Sequence, residues 1–392
     1  MCATRYGTIV KKIKVAVGLP LCDPNNVNLK PSYHTVTTPF SSFFFSSEQH
    51  PQTSVLHITA KPPLHTTMST DTCHIHTLFF SALQQPGPIA WVWQTCLCFM
   101  GLTYVASLAS GNYSQVDKLW SVTPVIYAWM LVVVVDDNND SWTLLMAVLV
   151  TLWGCRLTYN FHRRGGYRWP PWTGDQDYRW AYLQKGFYIA ALQNRIVWHV
   201  FNFVFISVYQ NILLCLLAMP SAVAYLVAVN YNGCFPDATT ACNVLDYVAT
   251  ILLLAFLYLE TKADNTQYAF QTEKYRLQQA GATRHGHFRD GFCQSGLYAW
   301  MRKPNYTGEQ GIWCAYYLFS VASLWSVHTI PWYARCCNAS VTGCVLLLLL
   351  FQGSGHMTEQ ISITKYPAYK EYQKKVPLYV PKLSMLLKRK AA

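Results

Sequence analysis

Seven stretches of this chain, roughly 89–109, 119–135, 142–160, 196–219, 244–263, 312–333 and 339–357, stay almost free of charge for the length a helix needs to cross a hydrocarbon core about 30 Å thick. A bilayer offers the backbone no water, so a spanning segment must satisfy its own N–H and C=O groups. Only helices and closed barrels do that, and uninterrupted apolar runs of this length select the helix. The expectation is therefore an all-α, polytopic transmembrane helical bundle of about seven spans. The second span is short, and the last is read as interrupted by Gly353 and Gly355. Composition agrees: 12% of residues are charged, 52% are hydrophobic, and there are 14 Trp and 26 Tyr.

Charge placement orients the bundle, because Lys and Arg collect in cytoplasmic loops. The 156–195 loop holds seven basic residues, the 262–303 loop seven and the tail after 357 eight, whereas DDNND at 136–140 and the 220–243 connection hold none. Seven spans then put the amino end outside and the carboxyl end in the cytoplasm. The formal charge of +12 is accounted for by orientation and by anionic lipid head groups. No repeated basic-aromatic groove pattern is present, so no nucleic-acid partner is expected.

Residues 1–87 differ in kind, rich in Ser, Thr, His and Pro with three acids. They read as a poorly structured tail, with three origins open: disorder, an organelle transit sequence, or a start site nearer Met68. The membrane domain is taken as 88–382 and a basic tail as 383–392. The 14 cysteines form no CxxC pair, so no metal site is expected. A disulfide is compatible with Cys234, Cys242, Cys336 and Cys337, all placed on the non-cytoplasmic side.

Three polar clusters fall on the cytoplasmic face. CRLTYNFHRRGGYRWPPWTGDQDYRW at 155–180 turns at Gly165-Gly166 and carries a stiff Trp169-Pro-Pro-Trp172 step. It suits a positive-inside anchor or a surface that grips a phosphate or ring. In YLETKADNTQYAFQTEKYR at 258–276, Glu260 and Asp264 share a helix face four residues apart. Ionisable groups at a membrane boundary face a bundle interior or watery cavity, which makes that stripe a site candidate beside the plainer reading of a solvated helix end. MRKPNYTGEQGIW at 301–313 reads as a turn shaped by Pro304 and Gly308. It brings cations for phosphate together with amide, phenol and carboxylate groups, the mixture a nucleotide cofactor needs.

The series Arg-x-Pro-Asn-Tyr-x-Gly-Glu ahead of a span, then Glu-x(5)-Lys-Tyr-Pro-x-Tyr-x-x-Tyr-x(3)-Val-Pro after the last span, resembles the steroid 5-alpha-reductase-like superfamily. It is most similar to the uncharacterised branch found in bacteria, algae, plants and protists. QVDKLWSVTPVIYAW at 115–129 and RLTYNFHRRGGY at 156–167 add to the likeness, which runs in order over roughly 90–382. The resemblance implies a cytosol-facing cavity that binds NADPH among the carboxyl-terminal helices, and a lipid or steroid-like substrate entering from the membrane. It implies reduction of a C=C bond conjugated to a carbonyl, in an integral protein of the endoplasmic reticulum, with plastid or mitochondrial membranes as other settings. Cofactor contacts carry over to Glu260, Asp264, Asn265, Arg302, Asn305, Tyr306, Gly308, Glu309, Glu359, Lys365, Tyr366 and Tyr372. Lys303 stands where the family often has His. The carboxylic acid and tyrosine that polarise the substrate carbonyl carry over to Asp117 with Tyr127 or Tyr159.

Two other readings share these residues. Isoprenylcysteine carboxyl methyltransferases have a similar Arg-x-Pro-x-Tyr-x-Gly arrangement and bind S-adenosylmethionine. The extra basic residues of the turn favour a 2'-phosphorylated dinucleotide instead. A non-catalytic lipid-binding or scaffold protein would keep the fold without the polar clusters, which are costly near a bilayer.

Overall fold

The computed structural model describes residues 75–132, 141–235, 238–239 and 241–382, and contains no strand among them. Seven main helices carry the architecture: α1 Pro88–Ser110, α2 Thr123–Val132, α3 Ser141–Arg163, α4 Arg195–Ala228, α5 Val244–Gln279, α6 Pro304–Trp325 and α7 Val341–Lys365. Five of these, α1, α3, α4, α5 and α7, are long and apolar enough to cross a membrane, so the chain is an integral membrane protein of all-α class. The expected spans at 119–135 and 312–333 correspond to α2 and α6.

Local sequence sets where these helices begin and end. Pro88 and Pro304 occupy first-turn positions, where a missing N–H costs nothing and the fixed φ already suits the helix. Asn194 starts α4 by accepting from the N–H groups of Ile196 (2.9 Å) and Val197 (3.3 Å). Asn243 and Asp246 cap α5 reciprocally, satisfying donors that a helix start otherwise leaves orphaned. At 36 residues, α5 is about 54 Å long. It overshoots the hydrocarbon core and carries its polar half beyond it.

Two expectations change here. Gly353 and Gly355 do not interrupt the last span, because α7 runs unbroken through both. The stretch after Pro304 is not a turn but the opening of α6, which starts eight residues before the expected span. Its polar residues face neighbouring helices, which is why an apolar-run criterion starts the span too late.

α4 lies at the centre: 83% of its most apolar window is buried, against 22% for α5. It contains a π-helical stretch, Asn202–Tyr209, along which Phe201, Phe205 and Tyr209 stack at ring spacings of 4.9 and 5.3 Å. Packing between membrane helices depends on close backbone approach rather than on escape from water. Gly343 of α7 supplies it against α4, since a Cβ there would lie 2.4 Å from the Leu216 backbone. Gly308 does the same for α6 against α5, where a Cβ would fall 2.5 Å from that of Glu260.

Two large apolar clusters fill the bundle. One centres on Trp153, Trp313, Tyr316 and Phe319, with Trp153 and Trp313 edge to face at 4.8 Å. The other holds Tyr127, Leu131 and Trp142, and also takes in Ile75, Leu78 and Ala82 from the short helix Ile75–Gln84. The folded body thus reaches upstream of the boundary expected at residue 88, while 1–74 and 383–392 lie outside the described residues. Cys234 is disulfide-bonded, and Cys336 and Cys337 carry free thiols.

Candidate functional site

Three ion-pair networks gather the polar residues of the sequence clusters, and each includes at least one residue of the MRKPNYTGEQGIW stretch.

The first sits between α3, α5 and α6. Arg156 reaches Glu260 at 2.5 Å, Asp264 at 2.7 Å and Glu309 at 3.6 Å, and no partner exposes more than 12% of its side chain. Asn160 Nδ2 donates to the same Asp264 oxygen at 2.8 Å. Trp153 and Trp313 each donate an indole N–H to Glu309 at 3.0 Å. At the outer edge, Arg163 donates to Asn160 and, at 2.7 Å, to Asn265. The geometry follows from spacing: Arg156 and Asn160 lie four apart on α3, Glu260 and Asp264 four apart on α5, so two complementary stripes face each other.

The second network joins the 165–177 loop to α6 and α7. Asp177 and Arg179 form a two-pronged pair (3.0 and 2.8 Å), and Arg179 also donates to Ser354 at 2.8 Å. The Ser354 hydroxyl is 3.2 Å from that of Tyr306. The loop is pinned by Lys118, whose ammonium donates to the carbonyls of Pro171 (3.2 Å) and Thr173 (2.7 Å). Beside the pair, Asp117 accepts from the Trp180 indole at 3.0 Å. Burial, reinforced by the neighbouring negative charge of Asp177, raises the carboxyl of Asp117 above the usual aspartate range. Burial works against charge at Asp177 too, but Arg179 overcomes it and holds that carboxyl below its usual range. The two aspartates thus sit in environments that push their affinities for a proton apart.

The third network anchors the carboxyl-terminal segment. Arg302 pairs with Glu359 at 2.7 Å and donates to the carbonyls of Gln373 and Val376. Its backbone N–H and that of Lys303 donate to Pro377 and Leu378 at 2.9 and 3.0 Å. Glu359 also accepts from Tyr369 (2.5 Å) and Gln373 (2.7 Å). Both terminal nitrogens of Arg302 are thus engaged within the chain, while its buried Nε has no hydrogen-bond partner among the described residues. Tyr372 donates to the Tyr298 carbonyl, and Lys274 reaches toward the Tyr366 hydroxyl at 3.5 Å. Lys365 lies over the Tyr366 ring at 5.5 Å.

The candidates from the sequence therefore divide. Glu260, Asp264, Asn265 and Glu309 converge on the Arg156–Arg163 stripe, Asp117 and Tyr306 on the Arg179 network, and Arg302 with Glu359 on the third. Gly308 is a packing contact, and Asn305 is half-buried without a hydrogen bond to other described residues. Tyr127 stands apart, fully buried in the second apolar cluster with Cys96 and Cys215. Tyr159 is 63% exposed on α3. Arg156, Asn160, Arg179 and Ser354 were not singled out from the sequence. Arg156 reads in the sequence as an orienting loop charge, yet its four-residue spacing to Asn160 matches that of Glu260 to Asp264 and is the available signal.

No solved structure matches this chain. It is 31% identical over 285 residues to uncharacterized protein C594.04c of Schizosaccharomyces pombe, covering 71% of this chain and 75% of that one. The profile of a family described as a protein of unknown function, DUF1295, matches residues 103–376, a range that contains the charged residues of all three networks. The chain belongs to the DUF1295 family, which is steroid 5-alpha-reductase-like.

Proposed function

We propose that this protein is an NADPH-dependent reductase of a C=C bond conjugated to a carbonyl in a membrane lipid, acting at the cytosolic face of the endoplasmic reticulum. The observation that carries the reading is that Asp117 and Tyr306, 189 residues apart in sequence, are both linked to the Arg179 pair, Tyr306 through the Ser354 hydroxyl and Asp117 through the neighbouring charge of Asp177. One was a candidate acid and the other a candidate cofactor contact. Reduction of an enone needs a hydride donor and a group that stabilises charge developing on oxygen, and these must serve one substrate.

The residues present fit a phosphorylated dinucleotide. Arg164 is exposed and makes no ion pair or hydrogen bond to other described residues, which leaves its guanidinium free for a phosphate. Lys303 lies over the Tyr306 ring at 5.5 Å, so a cation and an aromatic face are offered together. NADPH, when bound, supplies the hydride. Asp117, whose affinity for a proton burial raises, is placed to hydrogen-bond the carbonyl oxygen while Trp180 holds its Oδ2 in place. Asp177 keeps its charge on Arg179 and leaves the proton to its neighbour. The Arg156 network positions α3, α5 and α6 around this chemistry.

The test is turnover. Full-length protein in nanodiscs, given NADPH and a long-chain enone, should form the saturated ketone, and Asp117→Asn should cut the rate by about 10²- to 10⁴-fold. Failure to reduce enones across chain lengths, with folding intact, would refute the reading.

A further inference from the structure

We propose that Cys314 and Cys344 are a dithiol that a hydroperoxide converts into a disulfide joining α6 to α7. The inference concerns neither the cofactor stretch nor the candidate substrate, and it holds whether or not the reductase reading does.

The two sulfurs lie 3.4 Å apart across the α6–α7 seam. A disulfide bond is about 2.05 Å long, so they need approach by only about 1.4 Å. Their register is fixed from both sides. Toward the end read as non-cytoplasmic, Tyr317 donates to the Cys336 carbonyl at 2.6 Å. Asn338 and Ser340 donate to the Ser320 hydroxyl at 3.1 and 3.0 Å, which straps the α6–α7 connection onto α6. Toward the other end, the Tyr306 hydroxyl is 3.2 Å from that of Ser354, and the Tyr306 ring meets Phe351 edge to face at 4.7 Å. The helices therefore run antiparallel, and the thiols are held between two sets of contacts.

Exposure separates this pair from the other cysteines. Cys314 is exposed on the bundle surface, whereas Cys344 is buried behind it. Oxidation thus has an entry point and, directly beneath it, a second thiol to complete the bond. Cys96 and Cys215 also adjoin, but both are fully buried. Cys155 is exposed but hydrogen-bonds to no described thiol.

Position names the reagent. Cys344 is the fourth residue of α7, about 5 Å along a helix long and apolar enough to cross a membrane. Ionic oxidants are excluded from hydrocarbon, whereas a hydroperoxide is uncharged. One formed on an acyl chain keeps its polar group near the boundary, because burying it deeper costs free energy. With Cys344 donating its S–H across the contact, negative charge developing on the Cys314 sulfur is stabilised. That sulfur attacks the terminal peroxide oxygen, the O–O bond breaks, and the thiol proton passes to the departing alkoxide, leaving a sulfenic acid and an alcohol. The Cys344 sulfur then attacks Cys314, and hydroxide leaves with the Cys344 proton as water. Two thiols and one hydroperoxide give one disulfide, one alcohol and one water, and the two electrons lost by sulfur are taken up by the peroxide oxygens. The product ties together the two helices that carry Tyr306 and Ser354.

The experiment exposes full-length protein in phosphatidylcholine nanodiscs to cumene hydroperoxide or, in a separate arm, to hydrogen peroxide. Remaining thiols are capped with N-ethylmaleimide during denaturation, and peptides are mapped by mass spectrometry with and without reduction. Cys314 and Cys344 should leave the capped pool together, in a linked peptide that dithiothreitol releases. The thermal midpoint should rise by several degrees, since a cross-link restricts the unfolded chain. Cys344→Ser should strand Cys314 as a sulfenic or sulfinic acid, and Cys314→Ser should leave Cys344 reduced. Faster linkage by cumene hydroperoxide than by hydrogen peroxide places the reagent in the bilayer, and the reverse order supports the same dithiol with a water-borne reagent. The proposal fails if Cys314 of the native chain ends as sulfinic acid with Cys344 still reduced, if Cys96 and Cys215 link as fast, or if no linked peptide forms in either arm.

Discussion

Arg156 and Arg179 both sit among carboxylates, yet they are built differently. Arg156 is held by three carboxylates on two partner helices, with indoles and an amide completing the shell. Arg179 belongs to a joint between a loop and two helices, and its neighbours include a carboxyl that burial keeps prone to protonation. The first arrangement suits scaffolding, because taking one partner from a buried set leaves charges uncompensated. The second sets a carboxyl whose affinity for a proton burial raises beside the network that includes Tyr306.

Breaking the scaffold should have the largest effect. Arg156→Leu strands Glu260, Asp264 and Glu309 within the bundle and should cost about 3–5 kcal/mol, read as a large fall in thermal midpoint in detergent. Arg302→Ala should come next, destabilising chiefly the carboxyl-terminal segment. Hydrogen exchange should rise across 366–380 while α3 and α5 stay protected, and exchange rising equally everywhere would show that Arg302 is part of the main scaffold instead. Asp117→Asn retains an oxygen for Trp180 and should change stability by less than about 1 kcal/mol while cutting turnover by about 10²- to 10⁴-fold.

The same aspartates give a pH signature. Because the folded state raises the Asp117 carboxyl, its stabilising contribution is present below the ordinary aspartate value and is lost as pH rises through the raised one. Asp177 is the reverse: its contribution is present above the ordinary value and is lost as pH falls through its lowered one. Denaturation measured across acidic pH should therefore lose its decline on the rising side in Asp117→Asn and keep the acid-side loss. The smallest structural effect should come from Arg164→Ala, which removes no ion pair within the fold. It should weaken NADPH binding by about 10- to 100-fold, the worth of a hydrogen bond to a charged group, and leave NADH binding nearly unchanged.

Much of the fold was legible because the bilayer imposes one rule on every span, and apolar length reports it directly. What was lost were helix starts where polar residues face other helices. Pro304 through Glu309 looked like a turn, since composition cannot say whether Glu309 meets water or two indoles. Gly353 and Gly355 looked like a break, yet a glycine within a helix also admits a neighbour, and a Cβ on Gly355 would lie 2.4 Å from the Tyr379 hydroxyl. The site was legible as three clusters, because charge is rare in this chain and so conspicuous. Their wiring was not. Arg156 and Arg179 were hidden among basic residues that orientation alone explains, and only the folded chain separates Arg302, which is paired with Glu359, from Arg164, which makes no ion pair or hydrogen bond to other described residues.

The most direct test of the reductase reading is cofactor binding by thermal shift on detergent-purified protein, comparing NADPH, NADH and S-adenosylmethionine in the native chain and in Arg164→Ala. The account predicts saturable stabilisation by NADPH that exceeds that by NADH and shrinks in the variant. Stabilisation by S-adenosylmethionine alone, or by none of the three, would contradict it.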